Sequence, residues 1–199
     1  MKAYFPGRTL TDPRMTDIQP MSLPDVLLVT PKKHGDERGF FSETYRRAAL
    51  AEHGFDRDFV QDNHSMSAQR GTLRGLHFQR PPTMQDKLLR VVRGAVFDVA
   101  VDIRAGSATF GQWTGAELSA ENWRQILVPA GFAHGFVTLT ADAEVLYKVT
   151  AYYSPADEGG LLWSDPDVGI DWPLPAGRIV TNARDGAWPG IKDIEPLRA

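Results

Sequence analysis

Apolar positions in this chain come in short runs, and between about residue 25 and residue 153 turn residues interrupt nearly every one. Runs at 25–30 (DVLLVT), 39–45, 59–67, 71–78, 87–103, 111–119, 124–129, 134–140 and 144–153 predict strands. Each is rich in β-branched or aromatic residues and bounded by Gly, Pro, Asn or Asp, which favours extended backbone. The run 87–103 carries the clearest period of two. Ala95, Phe97, Val99, Val101 and Ile103 share one parity, and Asp98 and Asp102 take the other. Gly94 predicts a bend or bulge halfway along it. Residues 46–53 (RRAALAEH), closed by Gly54, are the one good helix signal. This pattern predicts an all-β fold, a sandwich or closed barrel with one or two short helices. Past residue 153 the turn-rich stretches SPADEGG, SDPDVG and WPLPAG predict a wrap around the outside. Residues 1–20 have no clear periodicity and predict an extension outside the core, with an edge strand or a partner arm as the alternative, leaving 21–199 as one domain.

Parity also bears on chemistry. Tyr147 shares a face with Val145 and Val149, so it points inward, where its hydroxyl needs a partner. That partner is either the backbone, as for an ordinary core Tyr, or something held in a barrel cavity. The segment 71–87 (GTLRGLHFQRPPTMQDK) brings together a guanidinium (Arg74), an imidazole (His77) and an ammonium (Lys87). Arg suits bidentate capture of phosphate, His titrates near neutrality, and Lys can sit beside a developing oxyanion. An anionic substrate undergoing proton transfer needs that combination, although surface cations around one structural His would read the same way. On a regular strand Arg74 and His77 point to opposite faces. Both reach one pocket only if the backbone departs from regular geometry, and Gly75 is the natural place.

Composition narrows the classes. The chain has 199 residues, a net charge of -3 and no cysteine. Disulfide frameworks, thiolate zinc sites and thiol nucleophiles are therefore excluded. The charge gives no support to nucleic-acid binding, and no apolar run approaches the length of a membrane span. No secretory signal is present in the first 20 residues, so a cytoplasmic protein is expected. Of the five histidines, His53 and His34 fall in charged or helix-terminal settings and His64 in a strand. His77 and His134 carry the chemical interest.

Residues 129–134, PAGFAH, match the second half-motif (PxGxxH) of the cupin barrels. Metal-binding cupins pair that His with an HxH and a downstream Glu. Here the first half-motif reads LHFQ (76–79), with one His where two are wanted, so no metal is expected. Eight segments, two of them containing these half-motifs, carry a wider likeness: GDERGFFSE (35–43), FVQDNHS (59–65), LRGLHFQ (73–79), QDKLLRVVRGAVFDVAVDIR (85–104), FGQW (110–113), PAGFAHGF (129–136), EVLYK (144–148) and YYSP (152–155). In this order they resemble the dTDP-4-dehydrorhamnose 3,5-epimerase family, over about residues 22–191.

The resemblance implies a cupin-type jelly-roll barrel and a cofactor-independent epimerase. Its substrate would be a dTDP-linked 4-keto-6-deoxy sugar, inverted at C3 and C5 through a C4 enolate. It implies His77 as base, Tyr147 as acid, Lys87 beside the enolate oxygen and Asp185, in NARDGAWP (182–189), as the carboxylate behind His77. By residue type alone, Asp171 in GIDWP is as good a candidate for that carboxylate. Arg38, Glu43, Gln61, Asn63, Arg74, His134, Glu158 and Arg184 fall on the family's ligand-contact positions, with Arg184 standing where the family usually has Lys. A homodimer with early strands exchanged is implied too. The alternatives are inversion of one carbon only on the same scaffold, a metal-dependent cupin oxygenase, and a non-catalytic sugar-nucleotide binder.

Overall fold

The structure, a computed structural model, describes residues 16–198. Two antiparallel sheets face each other as a jelly roll. The first orders its strands β1 (Asp17–Pro20), β2 (Leu27–Thr30), β10 (Gln125–Val128), β7 (Lys87–Arg93), β12 (Ala143–Val149) and β5 (Gln61–Ser67). The second orders them β13 (Glu158–Gly160), β6 (Leu73–Gln79), β11 (Phe132–Thr138), β8 (Ala95–Asp102) and β9 (Trp113–Ser119). A small hairpin, β3 (His34–Asp36) with β4 (Gly39–Phe41), and one helix, α1 (Arg47–Ala51), lie outside the two sheets.

Gly94 divides the long apolar run 87–103. With φ at +71° it lets the chain leave the first sheet as β7 and enter the second as β8. Leu89, Val91, Val96, Ala100, Leu118, Ile126, Phe136 and Val145 pack between the sheets. A second cluster buries the outer side of β8: Val99, Val101 and Ile103 pack under Leu161, Val168, Ile191, Ile194 and Leu197 of the C-terminal segment. On the outside of the first sheet, Leu50 of α1 and Phe55 cover Leu27, Leu88 and Leu127. Burying both faces of β8 hides a large apolar area, at roughly 25 cal/mol per Å².

Several expected elements differ in extent. The strand expected at 39–45 ends at Phe41 and gains a partner in β3, because the GDERG turn folds back on itself. The helix expected over 46–53 shortens to 47–51. Residues 158–160, expected as turn, pair with β6 as β13. Two of those three residues are glycines, so no side-chain periodicity announces the strand. Within the stretch 1–20, residues 17–20 form the edge strand β1 against β2, while 1–15 lie outside the described residues.

Candidate active site

Between the sheets lies a cavity of about 390 Å³, a size suited to a small ligand. Strands β5, β7 and β12 form one wall, β6 and β11 the other, and residues 182–185 close one side.

Arg74 and His77 both line this cavity although they have opposite parity on β6. The pairing explains how. Arg74 lies opposite Phe136 and His77 opposite His134, so β6 uses three steps where β11 uses two. Gly75 takes φ of +131°, and a Cβ there would sit 2.6 Å from the Gly135 Cα. Only glycine fits both the conformation and the close approach.

His77 Nε2 donates to Asp185 Oδ1 at 2.8 Å. Asp185 comes from the turn Asp185–Ala187 and is almost fully buried. Its Oδ2 accepts the Gly75 N–H at 3.0 Å, and Arg184 Nε donates to its Oδ1 at 3.3 Å. Burial pushes this carboxyl up, but the hydrogen bonds from His77 and Gly75 and the charges nearby outweigh it, bringing it down to about 2. Asp171, equal to Asp185 by residue type, is exposed and does not line the cavity.

Lys87 crosses from the opposite wall, its Nζ donating to the His77 carbonyl at 3.3 Å. Burial lowers its ammonium from 10.5 to about 8, against the pull of the Asp98 and Glu158 carboxylates. Tyr147 lines the cavity from β12, on the sheet opposite His77. Burial raises its phenol, with the Arg74 guanidinium acting the other way.

His134, directly across from His77, has its Nε2 3.0 Å from each oxygen of Asp98. Burial pushes the Asp98 carboxyl up, and His134 and Lys87 oppose the shift. Arg74 donates to Ser67 Oγ at 3.0 Å and to the Met66 carbonyl at 3.1 Å. Gln61 donates to Asn63 at 2.8 Å and accepts the Tyr153 N–H at 3.1 Å. Glu158 Oε2 accepts both Arg184 Nη1 at 2.8 Å and the Tyr153 hydroxyl at 3.0 Å.

Ten of the twelve residues singled out in the sequence therefore meet at one cavity: His77, Lys87, Tyr147, Asp185, Gln61, Asn63, Arg74, His134, Glu158 and Arg184. Arg38 and Glu43 do not. Arg38 is exposed on the β3–β4 turn beside Asp36, and Glu43 pairs with Arg46 at 2.7 Å on the surface. Sequence reasoning missed Asp98, Tyr153, Gln85 and Asn182. Asp98, which reaches the site through its bonds to His134, had a signal, an acidic residue alternating with valines, but parity alone does not say which face of β8 turns toward the other sheet. Among the described residues, no three His, Asp or Glu side chains converge as a metal site. The cavity instead holds a supported imidazole, a phenol on the facing wall and a cation, which suits proton transfer next to a developing negative charge.

The sequence model of the dTDP-4-dehydrorhamnose 3,5-epimerase family matches residues 20–193. The dTDP-4-dehydrorhamnose 3,5-epimerase of Salmonella typhimurium is 58% identical over 154 residues, 77% of this chain and 84% of that protein. The Sinorhizobium fredii enzyme of the same name is 51% identical over 176 residues, 88% and 90% of the two chains. Among solved structures, dTDP-6-deoxy-D-glucose-3,5-epimerase from Legionella pneumophila, in complex with dTDP-4-keto-L-rhamnose, is similar with a TM-score of 0.88. It is 44% identical and covers 93% of this chain and 99% of its own.

Proposed function

This chain belongs to the dTDP-4-dehydrorhamnose 3,5-epimerase family, and we propose that its cavity inverts C3 and C5 of dTDP-4-dehydro-6-deoxyglucose with His77 as base and Tyr147 as acid. The enzyme is an isomerase that acts on a dTDP-linked 4-keto sugar. One observation carries the assignment of roles: a His–Asp pair and a tyrosine stand on facing walls of one cavity, with Lys87 reaching across.

The chemistry follows from the ketone. The C4 carbonyl acidifies the hydrogens on C3 and C5, which in a gluco-configured ring lie on the same face. One base on that face therefore serves both carbons. His77 takes the C–H proton, and the electron pair moves onto O4 as an enolate. Asp185, held ionised, supports the resulting imidazolium. Lys87 faces the enolate oxygen, where a preorganised charge is commonly worth about 3 kcal/mol. Tyr147 returns a proton from the opposite ring face, and the configuration inverts. Only protons move, so the balance requires no oxidant or reductant.

Arg74, Arg184, Gln61, Asn63, His134 and Glu158 bind the nucleotide and sugar in this reading. Arg38 and Glu43 belong to the same substrate but reach it in a homodimer, from the early strands of one subunit into the cavity of the other. The exposed aromatic pair Phe40 and Phe41 beside them supports that arrangement. A cytoplasmic site of action fits the substrate, a charged diphosphate that does not cross a bilayer unaided.

The test uses dTDP-4-dehydro-6-deoxyglucose in D2O, read by mass spectrometry and NMR. Deuterium at both C3 and C5 is expected. Label at C3 alone would make the chain a single-carbon epimerase, and no label despite measured binding would remove the catalytic reading.

A further inference from the structure

We infer that Trp188, through its packing on Gly160, is a positioning residue that makes the His77–Asp185 pair act as one unit; the inference rests on the reading of His77 as base. The indole stands edge-to-face with the His77 ring, centroids 6.4 Å apart at 77°. The Arg184 guanidinium carbon lies 5.9 Å from the indole centroid. These two neighbours are the side chains that donate to Asp185 Oδ1, His77 at 2.8 Å and Arg184 at 3.3 Å. One carboxylate oxygen thus has two competing donors, and the indole packs against both. Held as they are, His77 has the shorter bond. Without the ring, Arg184, whose Nη1 donates to Glu158 at 2.8 Å, gains room to turn its fork onto Asp185, since a guanidinium prefers a bidentate carboxylate.

Gly160 makes this packing possible. It pairs with His77 across β13 and β6, and a Cβ at that position would fall 2.2–2.4 Å from three atoms of the indole. The ring therefore rests against bare backbone beside the base. The buried indole N–H has no hydrogen-bond partner among the described residues. Phe keeps an aromatic ring at this place without the indole N–H and is the natural replacement.

Other charged groups around His77 are Lys87 from β7, His134 with Asp98 from β11 and β8, and Glu158 from β13. Of these, Glu158 also accepts Arg184 Nη1 at 2.8 Å, so a change at position 188 bears on that ion pair as well as on the dyad.

The experiment compares wild type, Trp188→Ala, Trp188→Phe, Gly160→Ala and the Trp188→Ala/Gly160→Ala double variant, with His77→Ala as control. Epimerisation and C–H exchange in D2O are followed across pH, with folding checked by circular dichroism. Trp188→Ala is expected to lower kcat roughly tenfold with KM little changed, and to move the acid limb of kcat/KM to lower pH. Trp188→Phe should restore most of both. Gly160→Ala should reproduce the loss. Once the ring is gone the added methyl has room, so the double variant should match Trp188→Ala alone. A Trp188→Ala enzyme with wild-type kcat and acid limb, or Phe rescuing no better than Ala, overturns the inference while leaving His77 as base. An active His77→Ala overturns both.

Discussion

Asp185 illustrates how a site is made from competing magnitudes. Burying a carboxylate is costly, yet donors from His77 and Gly75 and the Arg184 charge hold it ionised, its pKa down to about 2 from 3.8. That depression corresponds to about 2 kcal/mol of stability at neutral pH. Because the folded value lies below the unfolded one, this contribution is full above about pH 4 and disappears as the pH falls toward 2. Asp185→Asn should flatten the acid side of the stability profile, and equal acid sensitivity of variant and wild type in urea titrations would contradict it. Lys87 runs in the opposite sense. Its ammonium is lowered to about 8, so the charge that the proposed mechanism sets beside the enolate fades as pH rises through that value. The kcat/KM profile is expected to fall above about pH 8, and Lys87→Arg, slower overall, should carry the alkaline limb to higher pH. His77→Ala and Tyr147→Phe should each retain the fold and lose on the order of 10²–10⁴-fold in turnover.

Strand β6 shows why position in an element matters as much as residue type. The alternation rule sends Arg74 and His77 to opposite faces, and the extra step at Gly75 brings them together. The sequence hinted at this, since glycine between two functional side chains on one strand has few other uses. A Cβ at Gly75 would meet Gly135 and the His134 carbonyl, and the residue sits at φ of +131°. Gly75→Ala should destabilise by about 2–4 kcal/mol, measured by chemical denaturation, and reduce activity further than its stability loss explains. Wild-type kcat in a folded Gly75→Ala enzyme would show that the bulge is not needed for the site. β8 teaches a related lesson. Its clean period of two was plain in the sequence, yet both faces are buried, one between the sheets and one under the C-terminal segment. Alternation marked the strand and left open which side faced the other sheet.

Taken across the fold, Arg38 and Glu43 stand apart from the other ten residues. They sit on a protruding segment with Phe41 71% exposed, while the cavity they would complete opens elsewhere. If two copies exchange these segments, each site needs residues from both chains. Arg38→Ala and His77→Ala should then each be inactive alone, and mixing them should regenerate activity, roughly a quarter of wild type for random pairing, as half of the dimers carry one complete site. No recovery after verified subunit exchange would place Arg38 outside the site.

The order of strands and turns, the absence of thiol chemistry and the short segments carrying His77, Lys87 and Tyr147 were all fixed locally, by side-chain periodicity and turn-forming residues a few positions apart. Asp185 and Asp171 could not be told apart in that way. Both are acids in turns, and only folding brings one of them across 108 positions to 2.8 Å from His77. The same holds for β13, whose glycines carry no pattern, and for the face of β8 that holds Asp98. Hydrophobic periodicity acts within a strand, whereas the site arises where two sheets and a returning segment meet, and that meeting is a property of contacts far apart in the chain.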